Sequence, residues 1–308
     1  MKSLIKDEDH KLVEGKKITL PTGEEYTGEI KNGKFEGYGI LKLNDEESYE
    51  GTFKNSKYDG KGLLIQKSSI YEGDFRNGIK TGKGTMRFKN GDLYEGSFSQ
   101  NKMKGSGIYI DSEENRYEGE FSKNQKNGYG ILFYSNGTRF EGFFTNNIPE
   151  RGELFLKSGT ILEGEWRDDR QGGMGMIKYS NGDLYEGDWR LGKPEGVGKM
   201  RYCTKRVYKG EWREGRKEGH GVMTYPNGDV YDGEWSSDMR HGFGALTFAK
   251  GDVFQGEWLS DLIHGKGVIL HSDGSKYEGI WENGQMLQGG VFIHNTGILS
   301  YNHNYALK

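Results

Sequence analysis

Twelve times between residues 26 and 281 the chain repeats one phrase: a large apolar residue, a spacer, glycine, a spacer, a second large apolar residue. The phrase opens at Tyr26, Tyr49, Tyr71, Tyr94, Tyr117, Phe140, Leu162, Tyr185, Tyr208, Tyr231, Phe254 and Tyr277, at intervals of 22 or 23 residues. Glycine stands two places after every opener. Two places further come Ile30, then five phenylalanines from Phe53 to Phe144, then all six tryptophans of the chain: Trp166, Trp189, Trp212, Trp235, Trp258 and Trp281. Self-similarity at a fixed period overrides the two-domain expectation that 308 residues would otherwise carry, and it predicts one array of structural repeats.

Within the phrase, apolar and polar positions alternate, as in Tyr185-Glu186-Gly187-Asp188-Trp189, which is the period of a strand. About seven residues after the second apolar residue most repeats carry a Gly-x-Gly pair, such as Gly196/Gly198 or Gly219/Gly221, followed by alternate apolar residues such as Met200 and Tyr202. That is a second strand. Polar turns separate the strands: Arg190-Leu191-Gly192-Lys193-Pro194 within a repeat, Ser180-Asn181-Gly182-Asp183 between repeats. Asn-Gly is a hairpin signal because both turn positions tolerate positive φ.

Each repeat is thus a β-hairpin. A lone hairpin is marginal in water, so neighbouring repeats must stabilise it. Stacking puts each column on a common face, with the rings on one face and the acidic spacers on the other. The glycines leave room for flanking rings to lie across the strand. Each buried ring would contribute roughly 1.5–3 kcal/mol, with about 0.5–1.5 more for a favourable ring pair. The expected fold is all-β: an elongated, single-layer, twisted antiparallel β-meander, on the order of 110 Å long at about 4.8 Å per strand.

The array is read as residues 14–301, between an N-terminal extension (1–13) and a C-terminal tail (302–308). Glu14-Gly15-Lys16 with Ile18 and Leu20 resembles a lone second strand. At the other end, Asn295-Thr296-Gly297 opens a strand whose column positions, Ser300, Asn302 and Asn304, are polar and protect an exposed edge. One repeat departs from the pattern. After Phe140 comes Thr145-Asn146-Asn147-Ile148-Pro149, the first glycine of the pair is missing beside Gly152, and the next opener is Leu162 after 22 residues. Residues 145–162 are read as a local irregularity where two half-arrays meet, with Phe filling the column before it and Trp after it.

Hydrophobic residues are only 32% of the chain, so aromatic residues spaced by 51 glycines must carry the packing. A formal charge of −3 gives no basic footprint and disfavours nucleic acid. Cys203 is the single cysteine, which excludes an intramolecular disulfide framework and fits a reducing compartment. The opening MKSLIKDEDH lacks the apolar run of a signal peptide, and no stretch approaches the roughly 18 apolar residues of a membrane span. A cytoplasmic protein is expected.

Units reading Tyr-Glu-Gly-Glu-Trp, polar turn, Gly-x-Gly, apolar strand and Asn-Gly-Asp closely resemble MORN repeats, named for membrane occupation and recognition nexus. The resemblance covers roughly residues 14–301. It implies a single-layer β-meander with an aromatic groove. It also implies scaffold work of the kind family members perform in cilia and flagella, including radial-spoke heads, in the cortical cytoskeleton and at membrane contact sites. Some members have been proposed to bind phospholipids, and certain enzymes carry such repeats as appendages. Here no segment is left over for a catalytic domain.

Other motifs weigh less. The Gly-x-Gly pairs lack the Gly-Lys-Ser/Thr and helix of a phosphate loop and recur in every regular repeat, so they are structural. Of His220, His241 and His264 only the last two share a column, a poor metal site. The carboxylate pairs Glu163/Glu165, Glu186/Asp188 and Asp232/Glu234 recur too often for one active centre and read as a solvated face. No Gly-x-Ser-x-Gly elbow opens a helix. No enzyme activity, cofactor or metal is expected.

The aromatic stripe remains. A single-layer sheet cannot hide both faces, so Trp166, Tyr185, Trp189, Tyr208, Trp212, Tyr231, Trp235, Trp258, Tyr277 and Trp281 are expected to line a groove that docks a protein partner's helix or extended peptide. The expectation is a non-catalytic scaffold in a ciliary, axonemal or cortical cytoskeletal assembly, with homo-oligomerisation left open. The alternative is a peripheral membrane adaptor for acidic phospholipid headgroups. Dispersed Lys and Arg among Asp and Glu favour the protein partner.

Overall fold

The computed structural model describes residues 2–6, 12–166, 172–287, 290–297 and 299–301. Among them every regular element is a strand, as the two-residue period requires. The chain divides into two compact units, Met1–Lys157 and Ser158–Lys308, each with fourteen strands among its described residues. Within each unit successive strands pair antiparallel, forming an all-β meander of consecutive hairpins.

The repeat that opens at Tyr208 shows how the local chemistry works. Its strands, Val207–Arg213 and Arg216–Thr224, are joined by Glu214 and Gly215, with φ of 51° and 83°. Positive φ at both positions marks the type I′ turn, whose twist matches that of the flanking strands. Asn55-Ser56, Ser237-Asp238 and Ser260-Asp261 do the same.

The Asn-Gly between repeats behaves otherwise, which corrects the expectation of a two-residue turn there. Only Gly182 takes positive φ, at 91°. The Tyr179 amide donates to the Asp183 carbonyl (2.9 Å) and the Gly182 amide to the Tyr179 carbonyl (3.0 Å), closing a longer loop. Asn181 uses its side chain instead, accepting the Asp183 amide at 3.0 Å.

Gly-x-Gly is a bulge. Gly210 pairs with Gly221 and Glu211 with Glu218, so the second strand advances three residues while the first advances one. Gly219 inside the bulge has φ of 60°, which glycine adopts without the steric cost of a Cβ. In the departing repeat Phe143 pairs with Arg151 and Phe144 with Pro149, an advance of two against one. The bulge there is one residue smaller, which is why its first glycine is missing and the interval falls to 22.

The ends differ from expectation in one respect. Residues Lys2–Lys6, read as an extension, form a strand paired with Leu12–Thr19 from Lys2↔Lys16 to Lys6↔Leu12. At the C-terminal end Leu299–Tyr301, containing Ser300, pairs with Val291–Ile293. Asn302 and Asn304 lie outside the described residues.

Candidate functional site

Tyr208 shows how a tyrosine is buried in a sheet of one layer. Its ring lies flat over two glycines: a Cβ built on Gly210 would stand 2.5 Å from the tyrosine Oη, and one on Gly221 only 2.2 Å. The hydroxyl donates to the Glu211 carbonyl at 3.1 Å, beside the bulge. Trp212 meets the ring edge-on at 5.1 Å and 89°, and Trp235 of the next repeat does so at 5.3 Å and 83°. Tyr208 is thus clamped between its own repeat and the next, as are Tyr49, Tyr71, Tyr94, Tyr117, Tyr231 and Phe254. The Trp235 indole N–H donates to the Gly221 carbonyl at 2.9 Å, and Trp258 repeats the contact to Gly244 at 3.2 Å.

The remaining face of these rings is covered by a column that sequence reading missed. Lys217 reaches over the Trp235 ring at 4.2 Å and the Tyr208 ring at 5.8 Å. Arg240 lies over Trp258 at 4.2 Å. In the N-terminal unit Phe35 stacks on Tyr26 at 3.8 Å and Tyr58 on Tyr49 at 3.7 Å. The column stands two residues before the first glycine of the pair, but its members include Phe, Tyr, Lys, Met, Arg and Ile, so no consensus betrays it. Fixed position is the only signal. Burial depresses the pKa of Lys80, Lys126 and Lys217 and raises those of the tyrosines, Tyr94 and Tyr117 to about 12.

This geometry bears directly on the ten residues expected to line a groove. Tyr185, Tyr208, Tyr231 and Tyr277 are fully buried, and Trp189, Trp212, Trp235, Trp258 and Trp281 are at most 4% exposed. Trp166 alone is partly open, edge-on to Trp189 at 5.0 Å. The picture of an exposed aromatic floor is corrected to that extent: glycines, neighbouring rings and the covering column enclose the stripe, and it forms the core.

The opposite face carries the open surface. In the N-terminal unit it holds a groove of about 1170 Å³. Along it one row of directly paired residues runs across the strands, Glu50, Leu63, Glu72, Thr85, Glu95, Ile108 and Glu118. Lys61 and Lys83, the middle residues of two Gly-x-Gly pairs, stand on its other side. In the C-terminal unit the equivalent middle positions include Met174, Val197 and Phe243, which are 69%, 67% and 59% exposed.

The paired carboxylates serve the sheet on this face. Glu211 and Glu234 each accept a bulge amide, from His220 and Phe243, at 3.1 Å. Glu163 binds Lys178 (2.8 Å), Glu186 binds Arg201 (2.7 Å), and Asp232 meets His220 at 3.1 Å. Among the described residues no three His, Cys, Asp or Glu converge as metal ligands, and no helix is long and apolar enough to cross a membrane.

Comparison with known proteins follows the same repeat. The MORN repeat family matches eleven segments: 26–46, 49–68, 71–93, 94–116, 117–139, 163–184, 185–205, 208–230, 231–253, 254–276 and 277–286. The unit with the shortened bulge, opening at Phe140, falls outside them. The curated proteins give no match. Among solved structures, the TCP10 domain of Danio rerio CPAP in complex with a peptide of Danio rerio STIL has a TM-score of 0.43 and 17% identity, covering 65% of this chain and 90% of that one. The wild-type TCP10 domain of Danio rerio CPAP has a TM-score of 0.40 and 16% identity, covering 63% and 93%. A streptogramin B lyase has a TM-score of 0.15 and 11% identity, covering 78% and 88%. At such scores nothing about this chain's partner follows from these likenesses. The eleven family matches take up well over half of the chain, and it belongs to the MORN-repeat family.

Proposed function

We propose that this chain is a non-catalytic scaffold that docks a segment of a partner protein on the sheet face opposite its rings. The observation that carries this reading is the open surface there: a groove of about 1170 Å³ in one unit and apolar side chains more than half exposed in the other. Exposed apolar surface rimmed by charge is a usual mark of protein–protein contact. The aromatic residues from Trp166 to Trp281 hold the sheet in shape beneath that surface. The ciliary, axonemal or cortical cytoskeletal setting comes from the family resemblance alone.

Purifying the tagged protein from its own cell after crosslinking tests the reading. A protein partner crosslinked to spacer-face residues is the expected result. Absence of any partner, together with robust cosedimentation with phosphoinositide liposomes at physiological salt, would instead favour a membrane adaptor. Carboxylates lining the groove repel anionic headgroups, which supports the protein partner.

A further inference from the structure

We propose that the carboxylate row of the N-terminal unit binds an extended polyproline-II segment carrying a Lys or Arg at every third residue. This rests on the docking-scaffold reading and names the surface and the chemistry of its occupant.

The row supplies both charge and spacing. Glu50, Glu72, Glu95 and Glu118 stand on every second strand, with Leu63, Thr85 and Ile108 on the strands between. Glu72 and Glu95 are exposed and make no ion pair among the described residues. Glu50 accepts the Tyr38 hydroxyl at 2.6 Å, and Glu118 meets Arg116 of its own strand. Across the groove Lys61 is neutralised by Asp74 at 2.7 Å, leaving Lys83 as the cation of that wall. Among the described residues, the three carboxylates without an ion pair, Glu50, Glu72 and Glu95, against the one cation Lys83 select a basic occupant.

Period selects its conformation. Two strands at about 4.8 Å place successive carboxylates about 9.6 Å apart. A polyproline-II helix advances about 3.1 Å per residue with three residues per turn, or about 9.3 Å per turn. Over the three intervals from Glu50 to Glu118 the mismatch accumulates to only about 1 Å. Two turns of α-helix advance about 10.8 Å and drift more than 3 Å over the same span. An extended β-strand, with same-face residues about 6.7 Å apart, loses register within one interval. A polyproline-II chain has no internal hydrogen bonds to break and follows a twisted sheet at low entropic cost. Its two residues between cations, proline or another apolar residue, fall over Leu63, Thr85 and Ile108.

Fluorescence anisotropy with a labelled (Pro-Pro-Arg)4 peptide, at low and at physiological salt, tests the proposal. Two comparison peptides of equal charge carry Arg at every second or every fourth residue. The three-residue peptide is expected to bind at least about tenfold more tightly than either, with affinity falling as salt rises. Glu72→Lys with Glu95→Lys should weaken it about tenfold or more. Glu46→Lys with Glu114→Lys, which changes net charge equally at exposed loop positions, should leave it within about twofold. A circular dichroism spectrum like the parent's confirms folding, and Glu72→Gln with Glu95→Gln gives a milder loss in the same direction. Equal affinity for all three spacings reduces the effect to diffuse attraction and overturns the proposal. So does failure of every peptide to bind, or binding that survives reversal of Glu72 and Glu95. A native partner crosslinked elsewhere on the spacer face would leave the scaffold reading standing while this inference fails. Finding no partner at all sinks the scaffold reading separately.

Discussion

Glycine does two different jobs in one motif, and a single substitution tells them apart. Gly221 is required because the Tyr208 ring occupies the place of a Cβ, which would stand 2.2 Å from its Oη and 2.5 Å from two ring carbons. Gly219, two residues earlier, is required because its φ is 60°, and a Cβ there would meet only the movable carboxylate of Glu211. Gly221→Ala should therefore cost about 3 kcal/mol or more, since ring and backbone must both shift. Gly219→Ala should cost about 1–2 kcal/mol, the ordinary penalty of a left-handed residue. Urea unfolding reads both, and equal losses would refute the distinction. Lys217 offers a second residue-scale test, because its side chain is buried with the ammonium lying over the Trp235 ring and desolvated there. Lys217→Met keeps the cover and removes the buried charge, so its stability should stay within about 1 kcal/mol of the parent, whereas Lys217→Ala uncovers Trp235 and should lose about 1–2 kcal/mol.

At the scale of the hairpin, the strands, their faces and the place of the turns were legible because the period of two is local, while the type of the turns was not. The type I′ turns fall on Leu191-Gly192, Glu214-Gly215 and Ser237-Asp238, and Leu, Glu and Ser are poor local candidates for positive φ. What holds them lies about 21 residues away. The Asp238 carboxylate accepts the Lys217 amide at 3.0 Å, and the Asp238 amide donates to the Lys217 carbonyl at 3.1 Å, tying one turn to the turn before it. Asn124 and Asn147 repeat the side-chain bond to Met103 and Lys126 at 2.8 Å. A window that sees one hairpin cannot find a bond made to its neighbour. Asp238→Ala loses this acceptor and keeps a strained φ of 73°, so thermal unfolding should show a loss of about 1–2 kcal/mol. Asp238→Gly relieves the strain while losing the same bond and should be clearly the milder change; the reverse order would show that strain is not what the turn residue resolves.

Across the whole molecule, the repeat announced which residues are large and aromatic but not whether they face water. Exposure is settled by the covering column, whose mixture of Phe, Lys, Met and Arg hides its common role; it makes the ring face the core and leaves the spacer face as the open surface. That enclosure has a pH signature. Eight openers, Tyr26, Tyr71, Tyr94, Tyr117, Tyr185, Tyr208, Tyr231 and Tyr277, have pKa values raised chiefly by burial, Tyr94 and Tyr117 to about 12. An unfolded chain ionises its tyrosines near pH 10, so it releases protons that the folded chain retains. The stabilisation is complete below pH 10 and is lost as pH rises through the folded values. Lys80, Lys126 and Lys217 act oppositely, because their depressed values let the folded form shed protons first and gain stability as pH rises toward about 10.4. Three lysines against eight tyrosines leave the tyrosines dominant above pH 10. The expected outcome is a cooperative alkaline transition between about pH 10 and 12, in which tyrosinate absorbance appears together with loss of the near-ultraviolet circular dichroism of the packed rings. Gradual ionisation near pH 10 with that dichroism intact would mean that the rings are open to water after all.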